Sequence, residues 1–117
     1  MYLSIDQSTS STTVFLFNKK INLIKKISKQ HKQIYYKKDW VEHDANEIYT
    51  NLLKIIKNIS KKISYHKKLF VSITNQRETF VIFDSKTGKP LRNAIVWQCR
   101  RGKKICNIIA KSKSAHP

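Results

Sequence analysis

Glycine and proline are nearly missing, with two of each in 117 residues. That excludes a flexible linker and a low-complexity segment. No internal repeat is present either. Cysteine is equally scarce. Cys99 and Cys106 stand seven apart, which is neither a metal nor a redox spacing. On one helix they would share a face but lie too far along the axis to be bridged. They read as small buried apolar residues in a reducing compartment. The four histidines, His31, His43, His66 and His116, show no ligand spacing. No apolar run is long enough to span a membrane. The opening "MYLSIDQ" lacks a basic n-region and an apolar h-region, so no signal peptide is expected and the cytoplasm is the expected location.

Acidic residues are the other shortage. Seven Asp and Glu face 24 Lys and Arg, for a formal net charge of +17. Such a balance suggests a nucleic-acid partner. The charge is carried differently, however. It comes mostly as lysine pairs, such as Lys19-Lys20, Lys37-Lys38 and Lys103-Lys104, placed at turns and solvent faces. No arginine-rich arm and no basic stretch interleaved with aromatics is present. Lysine, isoleucine and asparagine are over-used together, as an A+T-rich coding sequence would give. No specific nucleic-acid partner is expected, only polyanion binding that fades with salt.

What is present is a globular composition. The chain is 40% hydrophobic, with five Phe, five Tyr and two Trp. At this length it forms one domain at most and can bury roughly two-thirds of its unfolded surface. Residues 2–6 alternate as a strand that ends on Asp6. The small hydroxyl residues of "QSTSST" make a turn, and residues 13–17, "TVFLF", a second strand. Residues 23–31 suggest a third, so a β-meander opens the chain. "DANE" at 44–47 has the form of a capping box before an apolar stripe of Ile48, Leu52, Ile55, Ile56, Ile59 and Ile63, which predicts a helix to about Ile63. Residues 68–74 and 79–84 read as strands, 85–90 as a turn around Gly88, 93–97 as an extended segment, and 100–110 as a second helix. The order implies an α/β sheet with one parallel strand reached through a helical crossover.

Four places could carry chemistry. A strand ending on Asp6 before "QSTSSTT" is either an ordinary hairpin or a turn that serves a metal and phosphate. "TGK" at 87–89 lacks the earlier glycine of a phosphate loop and is followed by Pro90, so it is a turn. Arg77 and Glu78 are either a surface ion pair or, if a turn lets them converge, a donor fork and an acceptor suited to the hydroxyls of a small polyol. Trp97 is either core or a wall for the carbon face of such a molecule.

Together, "IDQSTSST" (5–12), "WVEHD" (40–44), "ITNQRET" (73–79), "TGKP" (87–90) and "NAIVWQCRR" (93–101) resemble, in order and spacing, the N-terminal part of glycerol kinases in the FGGY carbohydrate kinase family. The resemblance implies the N-terminal lobe of an actin-like, ribonuclease-H-like ATPase. This lobe is an α/β fold with a mixed sheet, a leading meander and a crossover helix. It would occupy residues 1–111, with a frayed polar tail at 112–117. It also implies phosphoryl transfer from ATP to glycerol, giving sn-glycerol 3-phosphate. Carried over by position, Arg77, Glu78 and Trp97 would contact glycerol. Thr9, Ser10 and Ser11 would form the nucleotide phosphate turn, and Asp6 would be the Mg²⁺-associated carboxylate. No catalytic residue is assigned within the chain. Glycerol kinases are several times longer, so the chain is expected to be truncated and inactive alone, as an excerpt or as a non-catalytic remnant. An oligomer is compatible with the full-length form. The family places Gly where Ser8 stands and Arg where Thr13 stands. The first exchange would restrict a tight turn. The second would remove a charge-assisted phosphate contact worth on the order of 1.5–3 kcal/mol.

Overall fold

A computed structural model describes residues 1–63 and 68–112. Strands β1 (Tyr2–Gln7), β2 (Ser11–Phe17) and β3 (Leu23–Gln30) form the expected antiparallel meander. β4 (Glu42–His43) is short and precedes helix α1 (Ala45–Ser60). β5 (Phe70–Asn75) then returns parallel to β1. The main sheet therefore runs β3-β2-β1-β5, with α1 as its crossover. β6 (Ala94–Ile95) pairs with β4 in a separate two-stranded sheet, and α2 (Lys103–Lys111) follows.

Alternation decides which face is covered. Leu3 and Ile5 sit opposite Leu16 and Val14, so all four point to one side. Ile55 and Ile59 of α1 close over them, and these six buried side chains form the core. Met1, Ile27, Leu52, Ile56, Ile63 and Leu69 pack around its rim. Among the described residues β5 pairs with β1 alone, and Phe70, Val71 and Ile73 are exposed. No helix among the described residues is long and apolar enough to cross a membrane.

α1 starts where the capping pattern places it, but the box is only half formed. Asp44 accepts from the amides of Asn46 and Glu47. Glu47 does not reach back to the cap. Its carboxylate accepts from the Lys32 amide and ties the helix start to the chain leaving β3. Asp44→Ala should therefore cost about 1 kcal/mol, read as a lower urea midpoint with an unchanged slope.

Four sequence expectations are corrected. The cysteines are not buried: Cys99 is half-buried, and Cys106 is exposed on α2, which buries none of its residues. Residues 79–84 do not form a strand. Phe80 bridges Ile95 and Phe83 bridges Pro90, each as an isolated pair. Phe80, Ile82 and Phe83 are exposed, so β-forming composition here lacks a ladder to join. The irregular stretch 35–43 ends in β4. Lastly, α2 begins at Lys103, not Arg100, after a turn in which the Lys103 amide bonds the Arg100 carbonyl. The turn at 85–90 forms as expected. Gly88 is at φ +69°, and Asp84 gathers the amides of Lys86 and Thr87. The frayed tail, beyond Ser112, lies outside the described residues.

Candidate functional site

β5 ends at Asn75, and the chain turns through Gln76, Arg77 and Glu78. Glu78 adopts φ +63°, a left-handed conformation that costs a non-glycine residue on the order of 1–2 kcal/mol. In a continuous strand Arg77 and Glu78 would face opposite sides. This turn lets both line one recess of about 330 Å³, together with Thr9, Gln76 and Trp97. Arg77 and Glu78 are both exposed. They are not ion-paired to each other; among the described residues the ion pair is Arg101 with Glu42.

Trp97 is half exposed, so it is not a core residue. Two hydrogen bonds hold it. Its backbone amide donates to Thr79 Oγ1 at 3.1 Å, and its indole Nε1 donates to Thr9 Oγ1 at 3.0 Å. Thr9, expected only in a phosphate turn, thus also supports the Trp97 wall. Its carbonyl accepts from His31 Nε2 at 2.9 Å and from Gln33 Nε2 at 2.8 Å.

Ser10 and Ser11 lie beside Thr9 but do not line the recess. Ser10 is exposed in the β1–β2 turn, and Ser11 opens β2. The Ser11 carbonyl accepts from the Ser8 amide, and the Ser10 carbonyl from the His31 amide. Asp6 sits one residue before the end of β1. Its Oδ1 accepts from the hydroxyls of Ser8 at 3.0 Å and Thr74 at 3.1 Å. Among the described residues its Oδ2 takes no hydrogen bond.

Ser8 and Thr13, where the resemblance implies Gly and Arg, are each accommodated locally. Ser8 is outside the left-handed region, so its Cβ adds no backbone strain of that kind, and its hydroxyl serves Asp6. Thr13 is buried opposite Ser28, and their hydroxyls meet at 2.8 Å. Thr13 is thus one half of a satisfied cross-strand pair.

Spacing gave no hint of His31 and His43. Their rings meet edge to face with centroids 4.7 Å apart, and both are buried. Burial is the main cause that holds both below the ordinary histidine range, His43 at about 4. The signal was hidden because the hydrogen-bond partners of their rings, Thr9, Gln33 and Gln76, are scattered along the chain.

A larger recess, about 390 Å³, lies between Tyr36, Trp40, Glu42, Arg92, Asn93, Ile95 and Arg101. Its polar groups are largely spent on each other. Arg101 pairs with Glu42 and stacks over Trp40, while Asn93 donates to Glu42 and Tyr36. The smaller recess is the better candidate because its charged groups face open space.

Comparison with known proteins places this geometry in a family. The model of the FGGY family of carbohydrate kinases, N-terminal domain, matches residues 1–117. Glycerol kinase 1 of Thermotoga maritima is 44% identical over 112 residues, covering 93% of this chain and 23% of that relative. The glycerol kinase of Francisella philomiragia is 44% identical over 113 residues, covering 95% and 23%. Among solved structures, Plasmodium falciparum glycerol kinase with ADP superposes with a TM-score of 0.81 at 40% identity, over 97% of this chain and 24% of that one. Gluconate kinase from Lactobacillus acidophilus, at 23% identity, shares the fold with a TM-score of 0.83. The chain thus spans about a quarter of the length of the relatives it matches. Its sheet and crossover helix are the opening of the actin-like ATPase fold. The chain belongs to the FGGY family of carbohydrate kinases, to whose N-terminal domain it corresponds.

Proposed function

We propose that this chain contributes the polyol-binding wall and the phosphate-facing turn of an ATP-dependent glycerol kinase. One observation carries the reading: Arg77, Glu78, Trp97 and Thr9 line a single recess although they are scattered over 89 positions of the chain. Arg77 offers a fork of donors and no acceptor, and Glu78 the reverse. A vicinal hydroxyl pair both donates and accepts, so it can use the two side chains at once. Trp97 offers an apolar face to the carbon chain. Relatives at 44% identity carry the name glycerol kinase, which supports glycerol over a longer sugar.

The nucleotide half of the reading rests on the β1–β2 turn. The hydroxyls of Thr9, Ser10 and Ser11 can serve phosphate oxygens at the mouth of the recess. Mg²⁺ prefers oxygen ligands and keeps several waters. Asp6, with the Ser8 and Thr74 hydroxyls beside it, is an all-oxygen set that fits such an ion. Among the described residues no three His, Cys, Asp or Glu side chains gather to hold a metal alone, so this ion would be shared with water and phosphate. Bound there, it would neutralise charge on the transferring phosphate.

Within the recess Glu78 is the one carboxylate, and this reading uses it as an acceptor. Among the described residues no second carboxylate lines the recess to take the hydroxyl proton. Glycerol binding without turnover is therefore expected from residues 1–117, because phosphoryl transfer needs positioning and charge from several elements together. The test is a glycerol titration followed through the Trp97 indole. Arg77→Ala should weaken binding roughly 10- to 100-fold, the loss of a charge-assisted pair. Unchanged affinity in Arg77→Ala would remove the polyol assignment, and turnover with ATP by the 117-residue chain would remove the incompleteness.

A further inference from the structure

Six hydrogen bonds around the recess close on themselves. Gln33 Nε2 donates to the Thr9 carbonyl at 2.8 Å. His43 Nε2 lies 2.7 Å from Gln33 Oε1. Gln76 Nε2 lies 3.4 Å from His43 Nδ1, the longest link. Thr79 Oγ1 donates to Gln76 Oε1 at 3.2 Å and accepts from the Trp97 amide at 3.1 Å. Trp97 Nε1 returns to Thr9 Oγ1 at 3.0 Å.

The direction of each bond follows from one group. A carbonyl oxygen can only accept. The Thr9 carbonyl therefore demands the NH₂ end of Gln33, which turns Gln33 Oε1 toward His43. His43 must answer with Nε2–H, so its Nδ1 is bare and can only accept. That draws the NH₂ end of Gln76, whose Oε1 then faces Thr79. The Thr79 hydroxyl must donate there, which frees its lone pairs for the Trp97 amide. No link can reverse without placing donor against donor. His31 reinforces the origin by donating Nε2–H to the same carbonyl. Among the described residues its buried Nδ1 has no hydrogen-bond partner, and its ring packs on His43.

We propose that this ring is a positioning device in which His43, fully buried and fixed as the Nε2–H tautomer, orients Gln76 and Trp97, which line the recess with Arg77 and Glu78. His43 touches no part of the open recess; it acts through Gln76 and Thr79. As an aid to polyol recognition the device rests on the reading above. As a coupling between His43 and Trp97 it stands on the hydrogen bonds alone.

The experiment uses the 117-residue chain and the indole N–H signals of its two tryptophans, with Trp97→Phe assigning them. Gln76→Met keeps side-chain volume at a part-exposed position and deletes two links. Exchange of the Trp97 indole proton with water should rise about tenfold, since a held N–H exchanges only when it opens. The Trp40 signal should not move, whereas general loosening would shift both. Gln76→Glu offers His43 Nδ1 an acceptor in place of a donor, so the histidine should titrate about one pH unit higher or more. Wild-type Trp97 exchange in Gln76→Met, or an unmoved His43 titration in Gln76→Glu, would overturn the proposal. Glycerol is the separate arm. If the ring responds as stated but glycerol leaves the wild-type Trp97 signal untouched, the device stands and the polyol reading fails.

Discussion

Leu16→Ala should cost about 2–5 kcal/mol of folding stability, the range for truncating a wholly buried leucine. Leu16 is wholly buried at the middle of the meander, opposite Leu3 and within reach of α1. Among the described residues the core it belongs to has six buried side chains. Domains of this size have total stabilities of about 5–15 kcal/mol, so the loss is a large share of what is available. The consequence reaches the recess. β1 and β2 hold the turn that presents Thr9, and Thr9 supports Trp97. Urea unfolding followed by circular dichroism should show a midpoint about 1–2 M lower, given a typical slope for a small domain. Ile73→Ala is the control. Ile73 sits on β5 and is 66% exposed, so its loss should stay within about 0.5 kcal/mol. A Leu16→Ala midpoint matching that of Ile73→Ala would mean that the β1–β2–α1 cluster is not the core.

The contrast between these two isoleucine- and leucine-bearing strands also shows what the sequence could and could not tell. β1, β2 and β5 are all legible as strands, because alternation and β-branched residues reflect backbone preference. Burial is not legible in the same way. "FVSIT" looks as apolar as "TVFLF", yet β5 is exposed along its length while β2 carries four buried residues. The difference lies in which strand α1 covers, a tertiary fact. The same gap explains residues 79–84. Their composition favours a strand, but a strand needs a partner ladder, and only single bridges to Ile95 and Pro90 are there.

The recess was partly legible. Arg77, Glu78 and Trp97 stand out because charged and aromatic residues interrupt apolar runs, and the turn at Glu78 draws them together. The double engagement of Thr9 was not legible, nor was the ring through Gln33, His43, Gln76 and Thr79. Those residues satisfy one another across sequence separations of up to 88, and no local spacing encodes that. Asp6, Ser10 and Ser11 lie outside the recess lining, so their proposed roles depend on a phosphate lying over the β1–β2 turn.

The buried histidines make a second large effect, set by pH. His43 is lowered from 6.5 to about 4, first by burial and then by the neighbouring His31, with Glu47 of α1 opposing. His31 is lowered in the same direction, again by burial, against the Thr9 carbonyl and Glu47. The unfolded chain releases its histidine protons near 6.5, and folded His43 releases its own only near 4. Between those values the unfolded state holds the extra proton, so acid favours unfolding. Stability should be complete above pH 6.5, fall as the pH drops toward 4, and level off below it for this residue. The full shift corresponds to roughly 3 kcal/mol, of which about 2 kcal/mol should be lost between pH 7 and pH 5, where carboxylates contribute little. Urea midpoints across that interval supply the measurement. His43→Gln keeps a polar side chain but cannot titrate. It should be less stable at pH 7 and distinctly flatter toward pH 5, while His31 keeps a residual slope. A wild-type curve already flat over this interval would mean that His43 takes up its proton without leaving the fold. The ring could not then be enforcing the Nε2–H tautomer. A steep curve flattened by His43→Gln to the residual slope of His31 would tie most of the domain's acid sensitivity to the residue that orients Trp97.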